Sequence, residues 1–230
     1  MYIDSLGSDK KISDINVLKK VNFKHLKKLR ISTNSISDIS VLEKVNFREL
    51  NYLNLESNNI LDINVLDRVW FEKLEVLILG CNCLVDISVF AKVNFPQLKT
   101  LLLYFCCIND ISPLEKSKFP KLEHLNLGNN RISGLKALKK CNFPNLIELY
   151  LNENLISDIK VFEAVNFKGL KILNLAKNRI TDIKVFENTQ FENLEKLSLE
   201  ENKFDCNKFS SVISKLKSKK AQLILEKINN

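Results

Sequence analysis

The chain is poor in the residues that loosen or interrupt regular structure. Only 5 of its 230 residues are Gly and 4 are Pro, so little material is available for flexible linkers. No run of about 18 apolar residues occurs, and no membrane-spanning helix is expected. The opening MYIDSLGSDKK lacks the apolar core of a signal peptide, which leaves secretion unsupported. No N-x-S/T glycosylation acceptor is present. There are only 2 histidines, His25 and His124, and no GxSxG, P-loop, HExxH or GxGxxG spacing. A chain this short of general bases and phosphate cradles is expected not to be an enzyme, and no cofactor is expected.

What is present is a folded composition, with 45% apolar and 27% charged residues. Its organisation is a repeat. Phe23, Phe47, Phe71, Phe95, Phe119, Phe143, Phe167 and Phe191 recur every 24 residues. Leucines follow each Phe at fixed offsets, as in Leu26, Leu29 and then Leu50, Leu53, Leu55. Next come Asn34, Asn58, Asn82, Asn130, Asn154, Asn178 and Asn202, with Cys106 breaking the series. Ile or Leu closes seven of the eight blocks, and Phe204 closes the last.

The pattern FxxLxxLxLxxNxI resembles the leucine-rich-repeat family, and stretches such as Ile36-Ser37-Asp38-Ile39-Ser40-Val41-Leu42 look like its short-repeat subclass, found in the protein phosphatase-1 regulatory subunit and in bacterial internalins. The resemblance implies an α/β solenoid with a parallel concave sheet, 24-residue repeats and short helical or 3₁₀ turns on the convex side. It also implies a protein-binding role. The alternatives it leaves open are a regulatory subunit of an enzyme such as a phosphatase, or an architectural domain of a larger surface or effector protein.

The spacing explains itself physically. LxL alternates with period two, so the leucines point inward and their neighbours outward. One coil cannot bury its apolar face alone, and stacking completes the core. An Asn amide satisfies backbone groups where the chain leaves the strand. Asp38, Asp62, Asp86, Asp110, Asp158 and Asp182 are placed to N-cap the convex turns, whereas Gly134 predicts a weaker one. Residues 1–22 read as a partial first repeat, 23–204 as eight repeats, and 205–230 as a helix-strand cap. The cap is expected from Phe209, Val212, Ile213 and Leu216, then Ala221, Leu223 and Leu225. Tyr2, Ile3 and Leu6 are candidates to cover the other end.

Most outward strand positions are polar, but the third and fourth repeats break the rule. Val76, Ile78, Leu102, Tyr104 and the following Phe105 form an apolar island, flanked by Tyr52, His124, Tyr150 and Ile172. An exposed apolar patch with aromatics marks a contact surface, so these nine residues are the expected partner-binding set. Strands about 4.8 Å apart make a ribbon of roughly 40 Å, a length suited to a protein or peptide. Cys81, Cys83, Cys106 and Cys107 cluster in sequence, but the register does not converge them as zinc requires, so no metal is expected. Cys141 replaces Val and should be core. The net charge of +8 concentrates at the ends: +7 over residues 10–30 and +5 over 207–230. These lysines read as solvated caps, and nucleic acid is not the expected partner. Cysteines without an extracellular capping pattern favour a reducing, cytoplasmic location. The chain is also expected to be a monomer without membrane contact.

Overall fold

The computed structural model describes residues 11–189, 191–218 and 222–224. The expected covering residues Tyr2, Ile3 and Leu6, with Ala221 and Leu225 of the terminal strand, lie outside them.

Each repeat forms one coil: a three-residue strand, a turn, a short 3₁₀ segment, and a return. The strands are β1 (Lys28–Arg30), β2 (Tyr52–Asn54), β3 (Val76–Ile78), β4 (Thr100–Leu102), β5 (His124–Asn126), β6 (Glu148–Tyr150), β7 (Ile172–Asn174) and β8 (Lys196–Ser198). A ninth, β9 (Gln222–Ile224), follows α1 (Ser210–Ser218) and pairs with β8. All pairs are parallel and in the order of the chain, with Leu53 opposite Leu77 and Leu77 opposite Leu101. Coils are numbered here by the strand they carry. The register advances by 24 residues per strand from β1 to β8, so equal positions of successive repeats become neighbours. That is why a column in the sequence is a line on the surface.

The inward leucines of the strands are wholly buried, and a single continuous core runs through the coils. Phe47 through Phe191 fill its far side, with Phe95 stacked on Phe119 at 6.4 Å between ring centroids. Phe23 departs from the expectation. It is 37% exposed, because its column has no earlier Phe to pack beneath it. Cys141 is likewise only partly buried rather than enclosed, as are its counterparts Val45, Val69 and Val165.

The Asn column works as a ladder. Asn154 Oδ1 accepts from Ile132 N at 2.9 Å, and its Nδ2 donates to Leu127 O at 2.9 Å and to Leu151 O at 3.1 Å. With a further bond to Asn152 O at 3.2 Å, one side chain ties four backbone groups across two coils, in an interior where an unpaired group is costly. Cys106 replaces this with two long contacts from its Sγ, to Leu79 O and Tyr104 O at 3.6 Å each.

The aspartates do not cap as expected. Asp38 Oδ1 accepts from Ser40 N at 2.7 Å, two residues on, in an Asx turn, and Ile39 holds the N-cap position of the segment Ser40–Lys44. These hydrogen bonds to Ser40 hold the Asp38 carboxyl below its ordinary pKa. Coil 5 lacks the Asx turn at Gly134, yet its 3₁₀ segment Lys136–Lys139 still forms. Neighbouring coils hold its backbone in place.

Candidate interaction surface

The outward strand positions share one face, and the apolar island lies near its middle. Ile78 pairs with Leu102 across β3 and β4, and Val76 with Thr100. All of Val76, Ile78, Leu102 and Tyr104 are partly exposed, while the alternating Leu77 and Leu101 are fully buried. Tyr52, His124, Tyr150 and Ile172 are also partly exposed and flank the island, though across four further coils rather than in one cluster.

Tyr104 is not a free anchor. Its hydroxyl donates to Glu56 Oε1 two coils away, and its ring lies over Gly80. A Cβ built on Gly80 would meet Tyr104 Cζ at 2.8 Å, so only Gly lets the ring lie flat there. Burial, then the neighbouring Glu56 carboxylate, raises the Tyr104 phenol well above its ordinary pKa, keeping it neutral and able to donate. Tyr104 is a strut that roofs coil 3 and presents one ring face outward.

Phe105 is the opposite case. It is 58% exposed, and it touches the Tyr104 ring edge-to-face at 6.4 Å. Its backbone has φ 50°, in the left-handed region. The same column is left-handed in every coil, but the other occupants are Thr33, Ser57, Cys81, Asn129, Glu153, Lys177 and Glu201. A bulky aromatic there is strained and gains little burial in return.

The island does not stop at the strands. Beyond Gly80, coil 3 continues outward through Cys81, the exposed Cys83 and Val85, which is 54% exposed. Coil 2 adds Leu61 beside Val85, at 64%. Charge returns only at Asp62 and Asp86. Strand alternation does not reveal these edge residues, because they lie beyond the strands. Column comparison would have found them, since Leu61 and Val85 stand where other repeats carry Ser37, Asn109, Ser133, Ser157 and Thr181. The single Trp, Trp70, is 69% exposed on the opposite flank, in a column otherwise of Asn, Lys and Gln.

Around the island the face is polar. His124 Nδ1 lies 3.1 Å from Glu148 Oε2, and the Tyr150 hydroxyl donates to the same oxygen at 3.3 Å. Burial, then Glu148, raises the Tyr150 phenol above its ordinary value. His25 is exposed on coil 1. The six cysteines are all unpaired, and among the described residues no group of three or more His, Cys, Asp or Glu could hold a metal. Nor is any described helix long and apolar enough to cross a membrane.

A family model for leucine-rich repeats in two copies matches residues 96–140, 120–164 and 144–188. No curated protein matches the chain by sequence. Among solved structures, an internalin from Listeria monocytogenes is 30% identical, with a TM-score of 0.77 over 95% of this chain and 61% of that one. The chain therefore spans about three-fifths of that internalin. Internalin C2 of the same organism is 25% identical, with a TM-score of 0.69 over 82% of this chain and 76% of its own. A leucine-rich-repeat protein of Leptospira interrogans is 25% identical, with a TM-score of 0.67 over 90% of this chain and 56% of that one.

Proposed function

We propose that this chain, which belongs to the leucine-rich-repeat proteins, binds a protein partner on the open sheet face and holds it at coils 3 and 4. One observation carries the reading. On a face whose other strands are mostly polar, Ile78, Leu102 and Phe105 form a contiguous apolar surface, and Phe105 keeps its exposed position in an unfavourable backbone conformation. Strain retained without burial is expected where a side chain serves a contact. Aromatic side chains in such patches commonly dominate binding energy.

The contact set begins from Val76, Ile78, Leu102 and Phe105. Tyr104 contributes an outward ring face, and Tyr52, His124, Tyr150 and Ile172 form the flanks. No catalytic step is assigned to these residues, because the His124–Glu148 pair faces an open surface rather than a cleft. The unpaired cysteines support a reducing compartment. The phosphatase-subunit and architectural readings draw on resemblance alone, with no residue of this chain to carry them.

The test is affinity capture with wild-type chain and with Leu102→Glu plus Phe105→Ala. Loss of the captured protein, with an unchanged melting curve, is expected. Equal capture by both would remove the island from the contact surface.

A further inference from the structure

We propose that the sheet face also binds a second copy of this chain, in an antiparallel face-to-face dimer whose two-fold axis runs along the strands between β3 and β4. The inference rests on the reading of the island as a protein-contact surface, and it names one occupant.

An isologous interface must complement itself after rotation. Rotation about this axis sets coil 3 on coil 4, coil 2 on coil 5 and coil 1 on coil 6. At the centre, Ile78 of one copy faces Leu102 of the other, and the outward strand positions of both coils carry no charge. At each end, Lys28 of coil 1 faces Glu148 of coil 6, while Arg30 faces Tyr150, with Glu153 three residues further along that coil. These groups already have local contacts. Lys28 Nζ lies 6.0 Å from the Tyr52 ring centroid, and Arg30 Nε donates to Ser32 Oγ at 3.1 Å. Glu153 lies 3.4 Å from Lys177, and Glu148 3.1 Å from His124. Carboxylates keep lone pairs for further donors, so the ends attract across the interface. The other face-to-face two-fold, along the solenoid axis, sets every coil on itself and opposes Lys28 and Arg30 to their own copies. Like charge disfavours it.

The shape permits the contact. A layer of α-helices would pack 8–10 Å apart and splay the strands into a deep trough. Here each coil has a single 3₁₀ turn, and the coils stay hydrogen-bonded on both flanks. Cys83 N donates to Ile60 O at 3.2 Å and Cys107 N to Leu84 O at 3.1 Å on one side, and Asn94 bridges Lys118 on the other. Flank contacts of this kind limit how far the strands of coils 3–5 can splay. Six coils at about 4.8 Å span only about 29 Å, which makes a small interface and a concentration-dependent dimer.

Sedimentation velocity of the full chain, from about 5 to about 500 µM, tests this. The expected result is a mass rising from 26.5 kDa toward twice that value, with the rise suppressed in high salt. Leu102→Glu should hold the chain monomeric with an unchanged melting curve. Lys28→Glu with Arg30→Glu should weaken the dimer at least tenfold, and adding Glu148→Lys with Glu153→Lys should restore it. A wild-type chain monomeric throughout overturns the dimer and leaves the capture experiment above to decide the partner reading. A dimer indifferent to Leu102→Glu, or a charge swap without rescue, overturns the face or the antiparallel order.

Discussion

The Tyr104 ring lies where the Cβ of residue 80 would stand, 2.8 Å from Cζ, and its hydroxyl reaches on to Glu56. The two positions are therefore coupled. Gly80 has an ordinary backbone conformation, so Gly80→Ala alone would favour folding by about 0.5–1 kcal/mol through the unfolded chain. With Tyr104 in place the new methyl must push the ring aside and break its bond to Glu56, so Gly80→Ala is expected to destabilise. In a Tyr104→Ala background the same change should stabilise. Urea denaturation of the four proteins gives the coupling directly. Additive effects would mean that the ring does not rest on Gly80.

Phe105 invites the reverse substitution. Its column is left-handed throughout, and coil 5 fills it with Asn129 at φ 54°. Asn tolerates that region far better than Phe. Phe105→Asn is expected to raise stability by about 0.5–1 kcal/mol while weakening partner capture. A destabilised variant would show that Phe105 packs more tightly than its exposure indicates, and would weaken the case for a functional cause of the strain.

The fold was legible because every coil repeats one solution: inward Leu, a laddering Asn, a buried Phe. Periodicity of that regularity specifies both the strand register and the stacking, and with them the surface columns. Three features were not legible, for physical reasons. The ring over Gly80 is one, because nothing in a sequence column shows that a side chain from the next coil lies across it. The aspartates read as helix caps, because an Asx turn and an N-cap use the same carboxylate and differ by one residue of placement. The exposure of Phe23 is the third, because it shares the pattern of the buried Phe residues and the pattern is blind to what stacks beneath it.

Cys106 sits in the Asn column and lacks its chemistry. Burial, as the leading cause, pushes its thiol up to about 11, so it is neutral and a weak donor at working pH. Cys106→Asn should give Leu84 N a stronger acceptor and Leu79 O a stronger donor than the thiol supplies, a gain of about 1 kcal/mol in unfolding free energy. Asn154→Ala removes four backbone contacts and should cost about 2–4 kcal/mol. Chemical denaturation of both variants reads the sign of each change. A Cys106→Asn variant less stable than wild type would mean that Cys106 packs in a way Asn cannot match.

Thiol titration separates the cysteines by environment. The thiolate is the reactive form, and a raised pKa withholds it. Burial lifts Cys141 to about 12, above Cys106. In the native chain near pH 8, a maleimide should therefore label the exposed Cys83 first and leave Cys106 and Cys141 unmodified until denaturant is added. Linkage has a definite sign here. A thiol whose folded pKa is raised contributes fully below the unfolded value of about 8.5. Stability should thus fall as pH rises from there toward 11–12, and part of that loss should vanish in Cys141→Val, the residue most of its column carries. An identical pH dependence in wild type and Cys141→Val would mean that the thiol is solvated in the folded chain.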